Sequence, residues 1–151
     1  MKFSTRARYG LRAMLELALN YNSDEPMPLF KIAERQLISE GYLEQMMTVL
    51  RKGGLVRSTR GAQGGYMLSR EPDRITAGEI IRCLEGPLSP TDCVSEEGPE
   101  FCSRSDACVT RLLWERVREA MASVLDSTTL EDLRLEDEKL RCRKESDMYY
   151  I

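Results

Sequence analysis

The chain has 151 residues, 42% of them hydrophobic and 31% charged, with a formal net charge of −3. That is the composition of one modest globular domain or a domain with an extension, and no apolar run approaches the roughly 20 residues that a membrane helix needs. Histidine is absent, which removes Ser/His and Cys/His nucleophile pairs and every histidine-dependent metal site.

The net charge hides an asymmetry. Residues 1–74 hold 12 Lys and Arg against 8 Asp and Glu, and residues 75–151 hold 10 against 17. A basic half joined to an acidic remainder suits a nucleic-acid reader with a separate assembly or sensing part. The N-terminal Met1-Lys2-Phe3-Ser4 leads into charges and a helix rather than a signal peptide, so the cytoplasm is expected, with no membrane partner. The cysteines are Cys83, Cys93, Cys102, Cys108 and Cys142. An odd count without a secretion signal argues against a disulfide framework.

Residues 4–21 predict a first helix capped near Ser4 or Thr5, with Leu11, Met14, Leu15, Ala18 and Leu19 as its apolar stripe. Arg6, Arg8 and Arg12 crowd its first half and serve either a phosphate backbone or plain solvation. After the loop 22–26, Leu29, Ile32 and Ala33 mark one face of a short helix, and Gln36-Leu37-Ile38 leads to Ser39, a natural N-cap. A helix over about 40–52 buries Leu43, Met46, Met47 and Leu50 and offers Glu40, Glu44, Gln45, Thr48 and Arg51 on its other face. Gly53-Gly54 stops it. Leu55 to Thr59 alternates as a strand, residues 60–65 form a glycine-rich turn, and Tyr66-Met67-Leu68 returns.

Helix, turn, helix and basic hairpin together predict a winged helix-turn-helix. In that geometry the second helix enters the major groove, and Arg60 in the wing suits a phosphate or the minor groove. Glu44 repels phosphate but can accept a hydrogen bond from cytosine N4.

Thr76 and Glu79 predict a capping box, with Ile75 and Ile80 as a hydrophobic staple, for a helix running to about Glu85. Cys83, among Ile80, Ile81 and Leu84, reads as an inert core thiol. Residues 86–107 have no period and carry prolines, acids at Asp92, Glu96, Glu97, Glu100 and Asp106, and Cys93 and Cys102. Without a cofactor this stretch should be flexible, because little apolar surface would hold it.

A long helix is predicted over about 107–125. Its broad apolar face of Leu112, Leu113, Trp114, Val117, Ala120, Met121, Val124 and Leu125 suggests a dimer interface. Thr128 and Glu131 predict a second capping box and a short helix through Leu135, and beyond Asp137 a charged, poorly ordered tail.

Cys93, Cys102 and Cys108 place three soft ligands in a loop leading into a helix. Thiolates hold iron–sulfur clusters and zinc, and thiols sense oxidants. Spacing alone leaves these open, as it leaves open a reactive thiol at Cys102 or Cys108. The lack of a Cys-x-x-Cys pair and of a histidine base disfavours an enzyme.

With these motifs in view, the sequence resembles the Rrf2 family of bacterial transcription regulators, and its IscR-like branch most. The residues that carry the resemblance are Arg8-Tyr9, Ala13-Met14-Leu15, Ile38-Ser39, Tyr42-Leu43-Glu44-Gln45, Leu50-Arg51-Lys52, Gly54-Leu55-Val56, Arg60-Gly61, Gly64-Gly65-Tyr66, Gly78-Glu79-Ile80-Ile81, the three cysteines, Trp114, and Thr129-Leu130 with Leu133.

The resemblance implies a mostly α fold, a winged helix-turn-helix with a long dimerisation helix and a cysteine-bearing loop. It implies a homodimer on double-stranded operator DNA, with Ser39, Tyr42, Glu44, Gln45, Arg51, Ser58, Arg60 and Gly61 as the DNA-facing set. It implies a [2Fe–2S] cluster on Cys93, Cys102 and Cys108, and repression of genes for cluster assembly; nitric oxide, iron, thiol oxidation or a zinc-stabilised module are the alternatives.

The expected divisions are 1–85 for the DNA-binding domain, 86–108 for the cysteine loop, 109–135 for the dimerisation helix with a short following helix, and 136–151 for the tail. Three features depart from the branch: Arg111 stands where relatives commonly have a histidine, Cys93 and Cys102 are further apart than in many relatives, and Gly41 stands where they often carry a polar residue.

Overall fold

The structure is a computed structural model that describes residues 2–98 and 102–148. Met1, residues 149–151, and Pro99 and Glu100 of the cysteine loop lie outside the described residues, as does Phe101. Six helices and one hairpin follow in the order α1 (Thr5–Leu19), α2 (Leu29–Gln36), α3 (Glu40–Lys52), β1 (Val56–Thr59), β2 (Gly65–Leu68), α4 (Ala77–Glu85), α5 (Val109–Ser127) and α6 (Leu130–Met148), with short 3-10 turns at Tyr21–Ser23, Pro72–Arg74, Asp92–Val94 and Ser105–Ala107. No described helix is long and apolar enough to cross a membrane.

The core is built by the helices whose periodicity was plainest. Met14 of α1, Ile32 of α2, Leu43, Met46, Met47 and Leu50 of α3, Ile75 and Ile80 around the start of α4, and Leu130 of α6 are all fully buried. Each such side chain contributes about 1.5–3 kcal/mol of burial free energy. Ser4 caps α1 by accepting from the Ala7 N–H at 3.1 Å. The helix ends at Leu19 rather than 21, because the Asn20 side-chain amide turns to the Glu25 carbonyl at 2.9 Å. The predicted box at Thr76 and Glu79 is present in both directions, at 3.1 and 3.0 Å. β1 and β2 pair antiparallel, Val56 opposite Leu68 and Thr59 opposite Gly65, and a bridge from Met27 to Tyr66 ties the hairpin to the segment before α2.

Leu37, which ends α2, has φ of +55°, and its N–H reaches the carbonyls of Ala33 and Glu34. The tight turn between α2 and α3 thus places a branched side chain in the left-handed region, where it stands 89% exposed. That conformation costs an L-residue about 1–2 kcal/mol.

Three expectations from the C-terminal half are corrected. The second capping box forms one residue later, with Thr129 and Asp132 exchanging bonds at 2.8 and 3.1 Å. Thr128 instead donates to the Val124 carbonyl at 2.7 Å, and Glu131 pairs with Arg134. The register is set by a bridge to α4: Ala77 N–H meets the Thr128 carbonyl at 2.8 Å and Leu130 N–H the Ile75 carbonyl at 2.9 Å, which drives Leu130 into the core.

The helix begun there does not stop at Leu135, and residues 136–148 are helical rather than a loose tail. Pairs at three- and four-residue spacing support it: Arg134 with Glu131 and Glu138, Lys139 with Glu136 at 2.7 Å, and Arg141 with Asp137 at 2.6 Å.

The third correction concerns residues 86–98. The expected flexible stretch is fastened down: Leu88 and Val94 are buried, Leu88 packs with Ala7 and Ile81 beside Ala122 and Leu125, and the Arg118 guanidinium donates to the Val94 carbonyl at 3.1 Å. On α5, Val117, Met121 and Leu125 are half-buried within the chain, so the exposed apolar row is shifted to Val109, Leu112, Leu113, Ala120 and Val124, with Trp114 at its margin.

Candidate nucleic-acid interface and cysteine segment

Helix α3 is anchored by its buried row and aimed by its cap. Ser39 Oγ accepts from the Tyr42 N–H at 3.2 Å, which fixes where the helix begins. Glu40, Glu44 and Gln45 are then left exposed on the first turns, in the position from which a recognition helix reaches base edges. Gly41 stands among them, and a Cβ added there would meet nothing within 4 Å.

Tyr42 is only half-exposed. Its ring meets Tyr9 of α1 edge-on with centroids 6.5 Å apart, and the Arg12 guanidinium lies over the Tyr9 ring at 5.2 Å. The sequence placed Tyr42 and Arg12 on separate helices and carried no signal of this stack, which steadies the N-terminus of α3 against α1.

The far end of α3 is joined to the wing. Arg51 donates from Nη1 to Ser58 Oγ at 3.2 Å, so two of the expected DNA-facing residues bond each other. Arg60 and Gly61 stand exposed at the tip of the hairpin, and Gly61 has φ of +113°, which only glycine adopts without strain. The expected set therefore falls on the start of α3, its last turn and the hairpin, with Arg51 and Ser58 bonded to each other and Tyr42 partly engaged inside the protein.

The three loop cysteines are not brought together. Cys93 lies half-buried in the Asp92–Val94 turn, its Sγ 3.3 Å from Thr91 Oγ1. Cys102 is exposed. Cys108 is the N-cap residue of α5, with Sγ 3.2 Å from Thr110 Oγ1. Among the described residues no three Cys, Asp or Glu side chains converge closely enough to hold a metal ion. The donors have the right chemistry for a soft cluster, but in this arrangement they do not fit one.

The thiols differ electrostatically. The hydrogen bond from Thr110, then the Arg111 N–H, hold the Cys108 thiol below the usual cysteine range, and the Arg104 charge adds to this. Burial pushes the Cys83 thiol up; its Sγ lies 3.6 Å from the Val49 carbonyl at the end of α3, in keeping with a core residue.

One further group was invisible in the sequence. Arg82 on α4 makes a bidentate pair with Glu96 of the cysteine segment, at 2.8 and 2.7 Å, and reaches Asp126 of α5 at 2.5 and 3.0 Å. Glu96 also accepts from the Leu88 N–H at 2.9 Å. Hydrogen bonding from Arg82 comes first among the causes that hold the Glu96 carboxyl below the usual carboxylate range.

Known proteins bear on this arrangement directly. A family model described as "Rrf2: Iron-dependent Transcriptional regulator" matches residues 3–135. The HTH-type transcriptional regulator CymR of Bacillus subtilis (strain 168) is 48% identical over 151 residues, covering 100% of both chains. IscR of Xenorhabdus nematophila is 41% identical over 149 residues, 97% of this chain and 88% of its own. The solved structure of CymR, titled the global cysteine regulator of B. subtilis, superposes with a TM-score of 0.78 at 49% identity over 90% of this chain and 98% of that one.

Proposed function

The chain belongs to the Rrf2 family of transcriptional regulators, DNA-binding proteins rather than enzymes, and from that premise we propose that it is a homodimeric cytoplasmic repressor. In this reading α3 and the wing contact double-stranded operator DNA, and Cys93, Cys102 and Cys108 receive the signal. The observation that supports the DNA half is the setting of α3: Glu44 and Gln45 stand exposed on a helix whose Leu43-Met46-Met47-Leu50 row is fully buried, and Arg51 is tied to Ser58 of the wing. Bases would be read by Glu44, Gln45 and the Tyr42 hydroxyl, while Ser39, Arg51, Ser58, Arg60 and Gly61 would position the backbone. The exposed row Val109, Leu113, Ala120 and Val124 on α5 supports pairing with a second copy.

For the signal, kinship with IscR and three soft donors support a [2Fe–2S] cluster. The end-to-end match to CymR, and the three thiols lying apart, favour a second reading, a regulator answering to cysteine or thiol status.

The DNA reading is tested by selecting duplexes from a random pool with the full chain and measuring affinity against salt. Arg60→Ala is expected to weaken every selected duplex alike and to lower the salt slope by about one. Glu44→Gln is expected to shift base preference by about 1–3 kcal/mol at one position. Loss of neither property would refute the docking. The signal is tested by the visible spectrum with iron and sulfide counts of protein purified without oxygen. Colour that disappears in Cys93→Ala, Cys102→Ala and Cys108→Ala supports the cluster, and colourless wild-type protein supports the thiol reading.

A further inference from the structure

Helix α1 holds the end of α2 by one carboxylate. Glu16, whose side chain is 13% exposed, accepts from Arg35 Nη1 on Oε2 at 2.9 Å and from Gln36 Nε2 on Oε1 at 2.8 Å. Gln36 is itself 8% exposed, the one buried polar residue among those described. The two donors are consecutive on the last turn of α2, so they leave that helix in directions about 100° apart. A carboxylate that grips both fixes how far α2 is rolled about its axis as well as its distance from α1. The burial of Ile32 and Ala33 sets depth, but apolar burial is non-directional and tolerates a small roll.

The roll is passed on without slack. Leu37 and Ile38 alone separate Gln36 from Ser39, the N-cap of α3. Both are committed: the Leu37 N–H meets the Ala33 and Glu34 carbonyls, and the Ile38 N–H meets the Ala33 carbonyl at 3.1 Å. Helix α3 therefore starts where the last turn of α2 puts it, and Glu44 and Gln45 follow, exposed, on its first turns. We propose that Glu16 is a positioning residue for base reading: its grip on Arg35 and Gln36 sets the angle at which Glu44 and Gln45 meet base edges, so it governs sequence discrimination without touching DNA. This rests on the reading of α3 as the DNA-contacting helix. Hydrogen bonds to base edges weaken steeply away from their preferred angle, whereas phosphate contacts made by long cationic side chains are electrostatic and tolerate a small tilt.

The test uses the full chain and the duplexes that the wild type selects from a random pool, together with their single-base-pair variants. The readouts are the ratio of Kd for each variant to that for the selected duplex, the salt slope and the urea midpoint. The base pairs that Glu44 reads are those whose ratio moves in Glu44→Gln. Glu16→Leu combined with Gln36→Leu replaces both partners by apolar side chains of similar size, strands no buried amide, and is expected to keep the urea midpoint close to wild type. At the Glu44-dependent base pairs its discrimination is expected to fall about tenfold, with the salt slope unchanged. Glu16→Gln keeps an acceptor for Gln36 and loses the charge that holds Arg35, so a fall of about threefold is expected there, and it carries the test should the double variant fold poorly.

Unchanged discrimination at those base pairs in every folded variant would overturn the positioning role and leave the DNA reading standing. A loss spread evenly over all base pairs, or one that tracks the urea midpoint, would mark a general loosening of the fold and overturn the role as well. Should Glu44→Gln move no base pair, the docking of α3 fails, and the role of Glu16 with it.

Discussion

Leu37 shows how a single residue can serve position over stability. Its left-handed backbone makes the tight turn that sets α3 against α2, and its side chain is almost wholly exposed. Glycine adopts that conformation without the Cβ penalty, so Leu37→Gly is expected to raise unfolding free energy by up to about 1 kcal/mol once the greater entropy of an unfolded glycine is subtracted. Urea denaturation measures it, and a loss of stability would show that the leucine makes a stabilising contact. Cys108 is the second residue whose setting matters. Its thiol is lowered by the Thr110 hydroxyl and the Arg111 N–H at the start of α5, whereas burial raises that of Cys83. Iodoacetamide below the ordinary thiol pKa is therefore expected to label Cys108 well before Cys83, and equal labelling would contradict the assignment.

Among the elements, α5 and α6 carry the most consequence. The outer row of α5 leaves Leu113 52% and Val124 64% exposed in a single chain. Leu113→Glu would place an unpaired charge in the proposed seam between copies and is expected to give monomer by light scattering; a stable dimer would move the interface elsewhere. Leu130 has the opposite setting, fully buried at the start of α6 where the bridge to α4 holds it. Leu130→Ala should cost about 2–5 kcal/mol and lower the thermal midpoint accordingly, as a core truncation does. Further along, α6 carries a ladder of charge pairs at three- and four-residue spacing. These pairs were present in the sequence at readable spacing, but apolar periodicity is blind to a helix stabilised along its solvent side.

Across the whole molecule, the carboxylates with resolved shifts lie below their usual range. Glu96 is lowered by Arg82, Glu131 by Arg134, and Asp132 by the Thr129 N–H and hydroxyl. For Glu79, partial burial works upward and is outweighed by the Thr76 N–H and Arg70. A depressed folded value means that the native state releases its proton more readily than the unfolded chain. Their stabilisation is thus fully present above the ordinary carboxylate values of 4.5 and 3.8 and is lost as pH falls through the lower folded ones. Urea midpoints are expected to be nearly level from neutrality to about pH 5 and to fall below that, with a shallower fall in Arg82→Gln. An identical acid limb in that variant would show that the Arg82–Glu96 pair does not contribute.

The winged helix-turn-helix was legible because its determinants lie in short windows: the Ser39 cap, the Leu43-to-Leu50 row, the Thr76–Glu79 box. The Arg82–Glu96–Asp126 group was not, since Arg82 meets its partners 14 and 44 residues away, and only the folded chain brings them together. The three cysteines were legible as chemistry but not as geometry, because the bonds that place the Cys93 segment run from Val94 to Arg118 and from Glu96 to Arg82, residues far away in sequence.

Gly41 gives the proposed recognition surface an open slot. A glycine inside a helix costs about 0.5–1 kcal/mol relative to alanine, and here no neighbour requires it, since a Cβ would point into empty space beside Glu44 and Gln45. One codon could therefore change which operators the protein favours while slightly strengthening its fold. Under the proposed docking, drift in a lineage, or a designer choosing among alanine, serine and arginine, would rewire the set of controlled genes without disturbing the core.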